Sequence, residues 1–529
     1  MNGTIPRRGD RQQRGKLRRS FRIVALAPVF AVLALMCWAL ASPIGSSPDD
    51  DFHLASIWCA GGDVAGQCEA VADPEQRAIP ASVLGATCFA FKPHQTGSCQ
   101  DFGTGGEMVS TDRGNFTGSY PPVFYSTMNL FVSSGIEVSA LVMRFVNIAL
   151  LVGIASVLYA VLPPNRRLTL VWGFAATVVP LGVFLIASNN PSSWAVISAG
   201  TLWVALLGYF ESTGRRKIAL GILSVVTAVM GAGARADAAV YVILAVLIVG
   251  VLSAKWNRVW AISAILPIGL IGVAAAFYGF AQQSSSALSG LGPSGATDPP
   301  PNWMSLLATN LLEVPSLWVG VFGSWKLGWL DTTLPGIVWV GGFGAFAALV
   351  FVGLRWQSPR KLVAVVAMLG AMWVVPTFIL QQSQVAVGSE VQPRYLLPLI
   401  VMLAGVSFLG PAHRRIELSA TQTVALVAVL SVANSVALMF NMRRYVTGED
   451  VAGVDVDDAP PWWWSNLPLS PLIIWILGSV AFALFLGIIS RTELARRYAV
   501  PRTTARSCDP GNVDDIAVEE KEAGAWERR

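Results

Sequence analysis

The chain has 529 residues, 54% of them hydrophobic and only 13% charged, with a mean hydropathy of +0.56. Soluble domains carry about 25% charged residues, so a soluble globular fold is excluded. The net charge is only +5 and its basic residues sit in short segments between apolar runs. That pattern is not a nucleic-acid-binding stripe, and no nucleic-acid partner is expected.

Residues 1–20 hold Arg7, Arg8, Arg11, Arg14, Lys16, Arg18 and Arg19, which places a basic N-terminus in the cytoplasm by the positive-inside rule. Twelve apolar runs follow, at 21–42, 137–161, 168–187, 192–210, 217–233, 237–254, 258–280, 333–354, 361–380, 395–411, 418–440 and 470–490. Most are of the roughly 20 residues that a helix needs to cross about 30 Å of hydrocarbon. The first run could instead be a signal peptide. Its length and the poor cleavage site at Ser42-Pro43 favour a retained helix. A stretch at 312–322 is too short and broken to span and reads as re-entrant or interfacial. Alternation through twelve spans puts Arg166-Arg167, Arg215-Arg216-Lys217, Lys255 with Arg258, Arg360-Lys361 and Arg414-Arg415 on the cytoplasmic side, so both termini are expected there. The expected organisation is an all-α polytopic membrane domain over 21–490, containing an extracytoplasmic loop at 43–136, and a polar cytoplasmic tail at 491–529 without apolar periodicity, read as disordered.

The first loop carries Cys59, Cys68, Cys88 and Cys99. Four cysteines on the oxidising side predict two disulfides, with three connectivities open. Cys37 lies in a span and Cys508 in the tail.

The chemistry-bearing residues gather at the outer ends of the spans. Asp49, Asp50, Asp51 and His53 come directly after the first one. Acidic residues there are costly unless water or a cation meets them. One carboxylate is the candidate general base on an acceptor hydroxyl, and Asp50 or Asp51 is the candidate ligand of a divalent cation. A solvated helix end is the plainer explanation, which the histidine argues against. Tyr120-Pro121-Pro122-Val123-Phe124-Tyr125 is a stiff aromatic segment before the second span, suited to lining a sugar or lipid pocket or to anchoring at the interface. Arg235 with Asp237, and Arg394 with Tyr395, put arginines on the side that usually lacks them, where a guanidinium can hold a phosphate. Asp331, in Gly328-Trp329-Leu330-Asp331, is a ligand or a helix N-cap. Trp462-Trp463-Trp464 reads as an interface belt, and the acidic stretch 449–458 as a solvated loop. No Walker loop, dinucleotide fingerprint, zinc spacing or nucleophile elbow occurs in a credible context. Any sugar donor is therefore expected to arrive already activated on a lipid.

Pro48-Asp49-Asp50-Asp51-Phe52-His53 resembles the Pro-Asp-Glu-x-x-His that opens the first outer loop in a DUF-type family of bacterial predicted polytopic membrane proteins of unknown function. That family is similar to the GT-C superfamily of polyprenyl-phosphate-sugar glycosyltransferases. Tyr120–Tyr125, Asn190-Pro191, Arg235-x-Asp237, Gly328–Pro335 and Arg394-Tyr395 with Pro398 match it in order across residues 43–400. The resemblance implies a GT-C-like fold and an inverting sugar transfer, with Asp49 as base and Asp50 beside it. Asp50 stands where the family has Glu. It also implies that His53, Tyr120, Tyr125, Asn190, Arg235, Asp237, Asp331, Arg394 and Tyr395 bind substrate. The four-cysteine loop has no counterpart in the pattern.

The expectation is extracytoplasmic transfer of a sugar from a polyprenyl-phosphate donor to a cell-envelope glycan or lipid acceptor, in a bacterial plasma membrane. A transporter or flippase for a lipid-linked glycan is the rival. Transporters place polar residues near the midplane and often repeat their halves, and neither feature is evident here. A non-catalytic scaffold would leave the outward arginines and the Asp-His cluster unexplained.

Overall fold

Helix-starting signals punctuate this chain, and the helices begin where those signals stand. Ser358 accepts from Lys361 N with Pro359 in the first turn, Asn302 accepts from Met304 N, and Asn257 accepts from Trp260 N. Ser419 and Gln422 form a reciprocal capping box. Each satisfies backbone donors that a helix start leaves open. The computed structural model describes residues 24–103, 106–282, 302–355, 357–411, 418–453, 455–457, 462–464 and 468–499. The basic N-terminus, the tail beyond Ala499, residues 283–301 and the Arg414-Arg415 segment lie outside the described residues. Leu26–Gly487 forms one compact unit.

In chain order the helices are α1 (Ala27–Leu40), α2 (Asp50–Cys59), α3 (Ala81–Gly85), α4 (Val123–Asn129), α5 (Ile136–Val161), α6 (Arg167–Ala175), α7 (Leu181–Ile186), α8 (Ser192–Glu211), α9 (Gly214–Ala232), α10 (Ala236–Ser253), α11 (Arg258–Ser263), α12 (Ile265–Phe280), α13 (Trp303–Val319), α14 (Gly336–Gly353), α15 (Pro359–Gln382), α16 (Pro393–Ser407), α17 (Ala420–Val446) and α18 (Pro471–Ala499). Helix α8 is the central one, 89% buried along its apolar stretch, and packs on α9, α10 and α16. Some buried hydroxyls in the bundle bond back to their own helix, as Ser224 Oγ does to Leu220 O (2.8 Å) and Thr201 Oγ1 to Ile197 O (2.6 Å), which keeps those donors from facing apolar neighbours unpaired.

Nine helices among the described residues are long and apolar enough to cross a bilayer. Every one of the twelve apolar runs falls on a helix or helix pair, but not every run gives a long one. Helices α1 and α16 have 14 and 15 residues. The run 168–187 is broken between α6 and α7, where Val179-Pro180 is cis. Helix α9 opens with Arg215, Arg216 and Lys217. The stretch near 312–322 is longer than the sequence suggests: Trp303–Ser324 forms 22 helical residues with Pro315 inside. Gln381, at the end of α15, donates to Trp303 O (3.1 Å). The segment just beyond it bonds to the loop after α1, where Trp329 Nε1 donates to Gly45 O (2.9 Å).

A small cap follows α2 in the chain. Strands β1 (Glu69–Ala70), β2 (Arg77–Pro80) and β3 (Met108–Thr111) form an antiparallel sheet in that order, with Glu69 opposite Ala78 and Ala78 opposite Ser110. So short a sheet is marginal alone, and two disulfides staple it, Cys59–Cys68 and Cys88–Cys99. Of the three connectivities the sequence leaves open, this is the sequential one. Non-reducing peptide mapping is expected to recover the 59–68 and 88–99 cross-linked peptides; a 59–88 or 59–99 pair contradicts the cap as described.

Helices α6, α8 and α16 meet where Gly173 and Gly405 face each other. A Cβ on Gly173 would lie 3.3 Å from Gly405 Cα, and one on Gly405 only 2.5 Å from the Trp203 ring. Gly405→Val is expected to destabilise the protein by about 1–3 kcal/mol through overpacking, read as a lower melting temperature in detergent. Gly370→Ala, whose Cβ meets open space, is expected to leave it unchanged or slightly raised.

Candidate functional site

The chain between α1 and α2 is irregular and lies buried at the end of the bundle, so its carbonyls need protein donors. Arg144, fully buried in α5, supplies three: Nη1 donates to Ala39 O (2.6 Å) and Ser42 O (2.7 Å), and Nη2 to Pro43 O (2.7 Å). Asn441 Nδ2 donates to Ala41 O (3.2 Å) and Gln100 Nε2 to Ile44 O (2.6 Å). Asn190 Nδ2 donates to Pro48 O (2.8 Å), while its Oδ1 accepts from Ser192 N (2.9 Å). Asp49 then takes a left-handed conformation at φ 58° and starts α2. That turn sends the Asp49 and Asp50 side chains into different surroundings.

Asp50 points inward and is fully buried. Oδ2 accepts from Ser47 N (3.1 Å), and Oδ1 has no hydrogen-bond partner. Burial pushes its carboxyl up to about 7, against the pull of Arg144 and the Ser47 amide. Asp51 is held by Arg113, Nε to Oδ2 at 2.9 Å. Asp49 is the carboxylate on the open side, with its side chain 38% exposed, and is paired with the buried Arg394 Nη2. Burial alone would raise the Asp49 carboxyl, but the Arg394 guanidinium above all holds it below its usual value.

Around this pair the charged and aromatic groups interlock. Arg394 Nη2 also donates to the Tyr395 hydroxyl (3.0 Å), and Nε and Nη1 of Arg394 are buried without partners. Arg235 is clamped by Asp237 through Nε–Oδ1 (2.8 Å) and Nη2–Oδ2 (3.1 Å). Its guanidinium lies between the rings of Tyr120 (5.5 Å) and Tyr395 (5.0 Å). His53 is buried between Phe52, Tyr120 and Tyr125, with Nδ1 hydrogen-bonded to the Tyr125 hydroxyl at 3.0 Å and Nε2 unpartnered. Burial lowers His53 to about 3, so it is neutral at pH 7.

Beside Arg235 and Tyr395 opens a cavity of about 320 Å³. Its polar side is Arg235, Asp237, Glu390 and Tyr395. The remaining wall is mainly apolar, formed by α10, α12 and α15 with Val240, Tyr278, Val374 and Ile379.

The structure thus brings Asp49, His53, Tyr120, Tyr125, Arg235, Asp237, Arg394 and Tyr395 into one site. Asn190 supports it from behind through Pro48. Asp331 lies in a separate buried pair with Arg444 (2.8 Å), on the turn whose Trp329 reaches Gly45. Arg444 also holds the cap, donating to Gln95 O (2.7 Å) and Lys92 O (2.9 Å). Arg144, Arg444 and Arg113 are missing from the sequence reading. A charged residue inside an apolar run was the available signal for Arg144. No three His, Cys, Asp or Glu side chains gather to hold a metal ion among the described residues, and Asp51 is already committed to Arg113.

A helical bundle with this many long apolar helices defines a multi-pass membrane protein. The family described as Predicted membrane protein (DUF2142) matches residues 32–403, and the chain belongs to that family. No curated protein and no solved structure matches it significantly.

Asp50 provides a pH test. Its carboxyl is raised in the folded state, so folding is favoured where it is protonated and stability falls from about pH 4 to pH 7. Asp50→Asn removes that dependence. The melting temperature of the variant relative to wild type is expected to rise across that window and stay level above it. A difference that is constant with pH contradicts a buried neutral Asp50.

Proposed function

We propose that the protein transfers a sugar from a polyprenyl-phosphate donor to a cell-envelope glycan or lipid acceptor, at the extracytoplasmic face of a bacterial plasma membrane and with both termini in the cytoplasm. The observation that carries this reading is the Asp49–Arg394 pair, bonded to Tyr395, whose side chain lines an apolar cavity. It sets a carboxylate beside a buried guanidinium that has donors to spare, next to a space fit for a hydrocarbon chain. The GT-C-like enzymes that the motifs resemble use an acidic residue of the first outer loop as base, a role that falls here on Asp49.

In this reading Asp49 takes the proton of the acceptor hydroxyl as the acceptor oxygen bonds to the sugar C1. The bond from C1 to the phosphate oxygen breaks with inversion, and the polyprenyl phosphate leaves with the electron pair. Arg394 neutralises the departing phosphate in a site screened from water, where such a charge interaction is strong. The fixed charge of Arg235 contributes to the same field. Asp49 is favoured as base over Asp50 because Asp50 is fully enclosed in the bundle, out of reach of an acceptor.

Membranes containing the full-length protein and a set of polyprenyl-phosphate sugars are the test. Wild type is expected to release polyprenyl phosphate and form product. Asp49→Asn is expected to lower kcat by about 10²- to 10⁴-fold, and Arg394→Gln to lower kcat/KM for the donor by at least about 10-fold, at unchanged protein level. If labelled lipid-linked sugar crosses the bilayer with no transfer, the protein is a transporter. If neither occurs with any donor, the assignment fails.

A further inference from the structure

The charged pair that carries the proposed function has a second consequence, which rests on that reading. Asp49 and Arg394 are bonded to each other. A base in that state is a poor one, since the guanidinium holds its lone pairs and stabilises its ionised form. The same guanidinium has unmet hydrogen-bonding capacity. Nε and Nη1 of Arg394 are buried and unpartnered, whereas Nε and Nη2 of Arg235 are already taken by Asp237. An anion arriving at the site therefore binds at Arg394, and does so in competition with Asp49.

We propose that the Asp49–Arg394 ion pair is a latch released by the donor's phosphate: binding of the lipid phosphate to Arg394 displaces Asp49 and frees that carboxylate to act as base. The burial of the two partners supports this direction. Arg394 is 4% exposed and fixed on the first turn of α16, with its Nη2 also bonded to Tyr395. Asp49 is 38% exposed and sits on an irregular turn, so it is the partner that water can receive when the pair opens. A buried cation left alone is costly, and an incoming phosphate removes that cost by replacing one anion with another. The consequence is ordered binding. Donor must bind before the base is competent, so an acceptor alone, or water in an empty site, meets a masked carboxylate.

The test is the affinity of the purified full-length protein in lipid nanodiscs for a long-chain polyprenyl monophosphate, measured with no sugar and no acceptor. For an ordinary phosphate-binding pocket, changing a neighbouring carboxylate that does not touch the arginine should matter as much as changing Asp49. For a latch, Asp49 is the competitor. Asp49→Asn and Asp49→Ala are expected to bind about fivefold tighter than wild type, the scale of one partly exposed ion pair. Asp51→Asn, whose carboxylate is held by Arg113, is expected to gain less than twofold, and Arg394→Gln to lose at least about tenfold. Either Asp49 variant suffices, provided its melting temperature shows it folded. If wild type binds the lipid and neither Asp49 variant gains more than Asp51→Asn, the latch is overturned and the transferase reading stands. If neither wild type nor the Asp49 variants bind the lipid, both are overturned.

Discussion

The site depends on how buried side chains satisfy the irregular backbone between α1 and α2. A stretch of chain that is neither helix nor strand cannot be enclosed in a membrane bundle unless its carbonyls find donors. Here the donors come from far along the sequence. Arg144 in α5 reaches Ala39, Ser42 and Pro43, Asn441 in α17 reaches Ala41, Gln100 in the cap reaches Ile44, Trp329 reaches Gly45 and Asn190 reaches Pro48. Five parts of the protein thus fix one short segment, and Asp49 is presented at its end. A loop held from that many sides returns to one conformation, which a site built on a single carboxylate requires.

The same arrangement separates two adjacent carboxylates. Asp50 turns into the bundle and loses water, which pushes its carboxyl up to about 7; Asp49 turns to the open side and stays ionised against Arg394. Environment, not residue type, divides their roles. The aromatic residues continue the theme. Tyr120 and Tyr395 sandwich Arg235, and Phe52, Tyr120 and Tyr125 surround a neutral His53. The result is a rigid polar rim against one side of an apolar cavity, the pairing that an amphiphile with a charged head requires.

Much of this was legible in the sequence, for stated physical reasons. Apolar runs and charges on the unexpected side of a membrane each leave a local signature. For that reason Asp49, Arg235, Asp237, Arg394 and the tyrosines could be singled out before their proximity was visible. What remained hidden was long-range. Nothing local says that Asp331 pairs with Arg444, or that Asn190 turns to Pro48 and not to the cavity. The helix through Trp303–Ser324 was underread because Glu313 and Pro315 look like breaks; in the fold Pro315 is carried within the helix. The lengths of α1 and α16, and the break between α6 and α7, also follow from packing that hydropathy does not record.

The central claim is that a lipid phosphate belongs on Arg394. The most direct measurement is an electron cryo-microscopy structure of the full chain in nanodiscs with a long-chain polyprenyl monophosphate. The account predicts phosphate density within hydrogen-bonding distance of Arg394, Asp49 parted from the guanidinium, and the tail entering the cavity between α10, α12 and α15. Lipid phosphate bound elsewhere, or bound at this site with the Asp49–Arg394 pair intact, would contradict it.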